Sequence, residues 1–484
     1  MAVCGEYVNR AFGHIASQVA ADPRRPQFHL LPTHNWMNDP NGPIYFNGKY
    51  HMFFQYNPEA AVWGNMSWNH AISDDMVHWT NYPVAFTMSA GGPDAAGCFS
   101  GSTIVKDHLG KPRVYALYTG VVRDKDHETI RNEGLRESQC LAWSDDPLLR
   151  RWTKLEKPIV PAPPADLKVV GFRDPAVWEQ NGTYYMTVGS GIERVGGCLL
   201  LYRSNDLHHW EYMHPLASGA WNGKPTSNPV DDGEMWECPD LFALNGRHVL
   251  IYSTLGKVYW QSGVLDAASM TFKEQKSGML DLGTFYAPKS QVDAQGKRVL
   301  WGWIPERRSQ DEMLKAGWSG LLSLPRVLNL DSDGRLRMQF LPKLQTLRKH
   351  PLEVDSRKGK TTTVLPRATG ELLCQGQGST GWSLQIHLPA GDPLELRYSP
   401  DRHAFLFEAN EVLLHPAESP SVHAFVDGSV VEILIAGSHS LTRRFYYEGE
   451  AAPDILIQVT GGPVQLHAWP ISPISPDRLT SARS

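Results

Sequence analysis

No Cys-x-x-Cys pair occurs in this chain of 484 residues, and its six cysteines, Cys4, Cys98, Cys140, Cys198, Cys238 and Cys374, are widely scattered. That excludes a zinc site of the usual paired spacing and a disulfide scaffold, which packs its cysteines densely into a short chain. No apolar run reaches the length of a membrane-crossing helix. An excess of positive charge is missing too: 46 Lys and Arg stand against 51 Asp and Glu, so nothing marks a nucleic-acid-binding face. The N-terminus, "MAVCGEYVNRAFGHIASQVAADPRRP", lacks the apolar core of a signal peptide and carries Glu6, Arg10 and His14. A cytoplasmic chain is therefore expected. Its residues 1–26 read as an extension with an amphipathic helix on Val8, Phe12, Ile15 and Val19, ended by Pro23.

What the chain does have is aromatic surface and repetition. Sixteen Trp and seventeen Tyr supply flat faces of the kind that hold sugar rings, although core packing accounts for most such residues. One pattern recurs five times: a polar knot containing Pro or Ser, a short strand, a Gly-containing turn, and a strongly β-prone run. The copies are "NDPNGPIYFNGKYHMFFQY" from Asn38, "FSGSTIVKDHLGKPRVYALYTG" from Phe99, "FRDPAVWEQNGTYYMTVGS" from Phe172, "ECPDLFALNGRHVLIYST" from Glu237 and "YAPKSQVDAQGKRVLWGW" from Tyr286. Asn47-Gly48, Asn181-Gly182 and Asn245-Gly246 are hairpin turn pairs. Three copies continue into a second shared element, "AISDDMVHW", "AWSDDPLLRRW" and "YRSNDLHHW". Five in-phase units predict an all-β fold, a five-bladed β-propeller over residues 27–340. Residues 341–365 are basic and turn-rich and read as a linker. Short alternating strands such as "WSLQIHL", "LELRYS" and "VVEILIAG" predict a β-sandwich over 366–475, leaving 476–484 as a tail.

A propeller converts phase in the repeat into geometry, because the innermost strands of all blades line one channel. Asp39, Asp174 and the Glu237/Asp240 pair occupy the opening knots of the first, third and fourth copies. Ser100 and Ser102 stand there in the second, Tyr286 and Lys289 in the fifth. Acids gathered in one pit repel one another's charged forms, which raises a pKa and separates a protonated acid from an ionised one. Paired carboxylates in an aromatic-lined pit fit glycoside hydrolysis, one attacking and one protonating the leaving oxygen. Calcium binding is the competing use of clustered acids, but it asks for more oxygen ligands than these knots supply.

"WMNDPNG", "FRDP" and "WECPDLF", in that order, resemble glycoside hydrolase family 32, the invertases, β-fructofuranosidases and fructan hydrolases. The likeness extends to "QYNP", "WGNMSWNHAISDD", "CFSGS", "FYAPKS", "GWSG" and the later "VDGSVVEI", so it covers nearly all of the chain past the N-terminal helix. The resemblance implies a five-bladed propeller followed by a sandwich. It implies that Asp39 is the nucleophile, Glu237 the acid/base, and Asp174, aided by Arg173, the group that holds fructosyl hydroxyls and stabilises the transition state. Asn38, Gln55, Trp63 and Ser100 look like further fructose contacts, Phe99 and Trp318 like apolar walls, and Tyr286 like a neighbour of the acid/base. Retention through a covalent fructosyl intermediate follows, with no metal or organic cofactor expected. The expected partner is a small sugar, with neither nucleic acid nor membrane. Monomer and dimer both stay open.

Departures from the family pattern bear on substrate choice. Asn69 stands where Gly is frequent, Lys289 where bacterial members often have Gln, and Gly428 where a basic residue is common. Asp281 matches an acid that favours sucrose in plant invertases, but Thr284 stands at its basic partner's position. Lys289 is a candidate for a phosphate subsite if sucrose-6-phosphate is the substrate; raffinose and short fructans are other candidates. A fructosyltransferase with the same three carboxylates is the alternative enzyme. An inactive sugar-binding propeller is the alternative from another class, which the intact carboxylate set disfavours.

Overall fold

The computed structural model describes residues 16–123, 134–357 and 359–479. Five sheets, antiparallel but for one short parallel pair in the first, fill residues 35–340, with inner strands Asn35–Phe46, Gly97–His108, Val169–Gln180, Glu237–Leu244 and Tyr286–Val292. Each inner strand packs against the next, and Tyr286–Val292 returns to pack against Asn35–Phe46, so the sheets form a closed ring. The hairpins leaving the inner strands turn on Asn47-Gly48, Asn181-Gly182 and Asn245-Gly246, with φ positive at both residues of each pair. This geometry matches the twist of the flanking strands and suits Asn and Gly. A helix at Gln310–Ala316 is capped by Ser309 and ended by Gly317 at φ 73. It delivers Trp318 and Ser319 to a parallel pairing with Asn35 and Trp36, which seals the ring.

The Ser-x-Asp…Trp element is a turn between the third and fourth strands of the first three sheets. In the first, Ser73 Oγ accepts from the Asp75 and Met76 N–H groups, Asp75 accepts from Val77 and His78, and Trp79 Nε1 donates to Met76 O. Ser204, Asp206 and Trp210 repeat this arrangement in the third sheet. Asp266 caps a fourth, degenerate version, accepting from Ala268 and Ser269, with Phe272 where the Trp would stand. Without its Ser and Trp this copy is invisible to pattern.

Beyond the ring lie a seven-stranded and a five-stranded sheet whose inward faces share one core. Along Leu394–Ser399 buried and exposed residues alternate, as a strand with one covered face requires. The segment read as a linker contributes two strands to this unit, Asp355–Arg357 and Lys360–Leu365, which form an edge of the seven-stranded sheet. The charges that suggest a linker are those of an exposed edge strand, where they protect it from further pairing. The described part of the tail is likewise fastened. Arg478 donates to the carbonyls of Ala20, Asp22 and Arg25, and Leu479 is buried. Residues 16–21 are helical and bury Val19; Val8, Phe12 and Ile15 lie outside the described residues. Among the described residues no helix is long and apolar enough to cross a membrane.

A fully buried polar network joins the ring to the sandwich. Arg326 donates to Glu432 (2.6 Å), Ser440 (2.8 Å) and Thr442 (3.1 Å), and its guanidinium lies over the ring of Phe285. His29 bridges Asp427 and Glu432, at 2.8 Å to each. Asp281 accepts from Ser440 and Thr442 in the same network, so it is an interface residue and not a substrate-selecting acid. The "VDGSVVEI" stretch serves this interface as well. Gly428 sits at φ 62, and a Cβ there would stand 2.8 Å from the Arg24 carbonyl oxygen, which explains why no basic side chain occupies it.

Candidate active site

All five inner strands slip register by one residue at nearly the same phase. The slips fall between Met37 and Pro40, Cys98 and Gly101, Arg173 and Ala176, Glu237 and Asp240, and Tyr286 and Lys289. A bulge of this kind re-aims side chains at a barrel or channel rim. Aligned on the Pro, or in the second strand the Gly, within or at the end of each bulge, the preceding residues Asp39, Ser100, Asp174, Cys238 and Ala287 form one ring. Asn38, Phe99, Arg173, Glu237 and Tyr286 form the ring one residue earlier. Asp174, Cys238 and Ala287 have φ of 64, 48 and 48. Non-glycine backbone of this sort costs about 1–3 kcal/mol per residue. It is held here by hydrogen bonds: the Asp174 N–H donates to Thr119 Oγ1 (2.9 Å), the Cys238 N–H to Asp174 Oδ2 (2.9 Å) and the Ala287 N–H to Ser253 Oγ (3.1 Å).

Between the bulges lies a cavity of about 230 Å³, lined by Asn38, Asp39, Gln55, Trp63, Phe99, Ser100, Arg173, Asp174 and Glu237, together with Met66, Leu135 and Asn228. Asp39 accepts from Ser100 Oγ at 2.6 Å and from Asn38 Nδ2 at 3.1 Å, while Trp36 Nε1 fixes the other end of the Asn38 amide. Glu237 is gripped from both sides. Arg173 donates through Nε (2.9 Å) and Nη2 (2.7 Å) to its Oε1, and Tyr286 donates its hydroxyl to Oε2 (2.7 Å). Close packing of the third and fourth sheets sets this geometry: a Cβ on Gly189 would meet the Trp236 carbonyl oxygen at 2.6 Å. Trp63, 48% exposed, meets the edge of Phe99 at the mouth, ring centroids 6.0 Å apart.

Burial pushes the Asp39 carboxyl above its usual range; the Ser100 hydrogen bond works against that, and the Glu237 charge adds to it. Asp174 is pushed to about 7 by burial first and by Glu237 next. Arg173 lies beside three carboxylates, Glu137, Glu237 and Asp174, which keep it charged although buried. In Ser100→Ala the ionised form of Asp39 loses a donor, so the acid limb of the activity profile should move to higher pH. A profile of kcat/KM against pH checks this; an unmoved limb would sever Ser100 from Asp39.

Trp318 does not belong to the cavity. It is 1% exposed, donates to Asp22 Oδ2 at 2.9 Å, and packs under Arg25, Arg308 and Arg444, because its backbone pairing with Asn35 turns the indole toward the N-terminal segment. Lys289 and Asp240 lie deeper. Lys289 Nζ donates to the Pro239 carbonyl (2.6 Å) and Asp240 accepts from the Ser290 N–H and hydroxyl, so Lys289 faces no sugar phosphate in this cavity. With Ser102 to the Pro175 carbonyl and Thr103 to the Gly42 carbonyl, these bonds stitch neighbouring sheets together as a floor. Two participants had escaped the sequence. Cys238, whose thiol lies 3.5 Å from Asp39 Oδ2 and 3.3 Å from Asp174 Oδ2, occupies the aspartate phase of the fourth repeat, a signal that aligning the repeats would have exposed. Glu137, which accepts from Arg173 Nη1 at 2.8 Å, stands on a third strand and had no such signal.

The family model for the glycosyl hydrolases family 32 N-terminal domain matches residues 29–339. Over 470 residues the chain is 34% identical to the sucrose-6-phosphate hydrolase of Bacillus subtilis (strain 168), covering 91% of this chain and 92% of that protein. To the raffinose invertase of Escherichia coli it is 33% identical over 463 residues, 88% and 90% of the two chains. Among solved structures, a β-fructofuranosidase of Bombyx mori superposes with a TM-score of 0.80 at 28% identity, covering 97% of this chain and 99% of that one. A mutant of the same protein has been solved in complex with sucrose.

Proposed function

The chain belongs to glycosyl hydrolase family 32, and from that premise we propose that it hydrolyses the terminal β-D-fructofuranosyl bond of sucrose and related fructosides with retention of configuration. The observation that carries this reading is the convergence of Asp39, Asp174 and Glu237 in one cavity, each with different partners. Asp39, held by Ser100 and Asn38, attacks C2 of the fructosyl unit. The C2–O bond breaks, and the departing oxygen takes the proton of Glu237. Water then gives a proton to Glu237, attacks C2 and releases Asp39. Asp174, rigid on its strained bulge, accepts from fructosyl hydroxyls. Gln55 and Arg173 contact the sugar, and Trp63 and Phe99 cover its apolar faces.

The floor of bonds between sheets bears on substrate choice. A pit closed below admits a chain end and not the middle of a polymer, so attack is at the terminal fructose. The reading implies action on imported sugar in the cytoplasm. Incubation with sucrose, sucrose-6-phosphate, raffinose, inulin and levan, followed by product analysis over time, tests it. Free fructose from sucrose is the expected product. Lengthening oligosaccharides would mean fructosyl transfer, and no turnover of any fructoside would overturn the proposal.

A further inference from the structure

The guanidinium of Arg173 is divided between two acids. Nε and Nη2 face Glu237, and Nη1 donates to Glu137 Oε1 at 2.8 Å. The other oxygen of Glu137 accepts the Phe172 N–H at 2.6 Å, which ties the carboxylate to the backbone just before Arg173. Glu137 lies on Leu135–Ser144, is 5% exposed, and does not line the cavity, so it reaches the chemistry only through Arg173.

An arginine pressed against a carboxylate favours the ionised form, which is the wrong form for an acid about to protonate a leaving group. A second carboxylate on the far edge of the same guanidinium offsets that pull and fixes the direction of the fork. We propose that Glu137 is a positioning residue for the acid/base: by aiming Arg173 and sharing its charge, it lets Glu237 carry the proton that the leaving oxygen needs. The proposal rests on the reading of Glu237 as acid/base. The other groups that face Glu237 are Asp174 from its neighbouring sheet, Asp39 from the first, Tyr286 from the fifth and Asp231 from the segment before its own strand. Glu137 differs from the lining acids in acting from behind the arginine.

Glu137→Gln keeps the shape and removes the charge. Arg173 then bears more fully on Glu237, so the basic limb of the kcat/KM profile should move to lower pH. On sucrose kcat should fall by about 10- to 100-fold, the range that weakened acid catalysis allows. On an aryl β-fructofuranoside, whose phenolate departs without a proton, the loss should be under about threefold, because that step bypasses the acid. Glu137→Asp, which retains the charge, should keep the limb in place and recover part of the sucrose rate. It carries the test by itself if the Gln variant does not fold: an unmoved limb with a loss confined to sucrose supports the proposal.

Equal losses on both substrates with an unmoved limb in Glu137→Gln would make Glu137 merely structural and overturn the proposal alone. So would an Asp variant as slow and as shifted as the Gln variant. Full sucrose activity in Glu237→Gln would overturn the acid/base reading and this inference with it.

Discussion

Asp39→Ala is expected to lower kcat on sucrose by about 10⁴- to 10⁶-fold, the scale seen when a nucleophile is removed outright. Glu237→Ala should match it on sucrose yet lose far less on an aryl fructoside, since the first step there needs no acid. The two variants also differ in rescue. Azide occupies the space vacated in Asp39→Ala, attacks C2 directly and gives an inverted fructosyl azide. In Glu237→Ala azide intercepts the covalent intermediate and gives the retained product. Stereochemical analysis of the azide adducts decides the assignment, and wild-type activity in Asp39→Ala would abolish it.

Folding should not explain the loss. The Asp39 carboxyl is raised in the folded state, so the folded chain holds a proton that the unfolded chain releases, and stability falls as pH rises through the interval between the two values. Removing the group should leave the melting temperature at neutral pH unchanged or higher, with the gain vanishing in acid. Asp174, at about 7, carries the same sign.

The second large effect is structural. Arg326→Met leaves Glu432 and Asp281 buried beside an apolar group, and breaking such a network from one side costs about 3–5 kcal/mol. Denaturant unfolding should show that loss, and Arg326→Met combined with Glu432→Met should recover part of it; a single variant as stable as the wild type would remove the network from the stability of the fold. Burial alone would lower the pKa of His29, but Asp427 and Glu432 raise it from 6.5 to about 9. Its contribution is therefore complete below about 6.5 and is lost as pH rises through about 9. A stability profile between pH 7 and 10 that did not decline would rule that out.

The ring and the acids were legible because a repeat carries phase, and phase in a propeller is position. Phase alone thus brings Asp39, Asp174 and Glu237 together from three distant stretches. Trp318 could not be placed the same way, since it lies on an excursion outside the repeat, where proximity in sequence to a shared motif says nothing of which way an indole turns. Asp281 and Lys289 failed for a related reason: each lies close to the site in sequence, yet one turns to the sandwich and the other into the floor. Residues 341–365 read as a linker because composition reports solvent, and edge strands are solvated like linkers. Glu137 was beyond reach, because its partner is fixed by the packing of two sheets and not by any period in the chain.

The sealing of the ring by Trp318 and Ser319 also bears on the order of assembly. Asp39 emerges early in synthesis, but the start of the strand that carries it is flanked on one side by residues made only after the second, third and fourth sheets. Until they arrive the Asn35–Trp36 end of that inner strand keeps an unpaired edge. The start of the first inner strand is thus among the last parts of the propeller to be secured. A nascent chain stopped short of Trp318 would hold all three acids with this end of the first strand open, free to pair with a second incomplete chain.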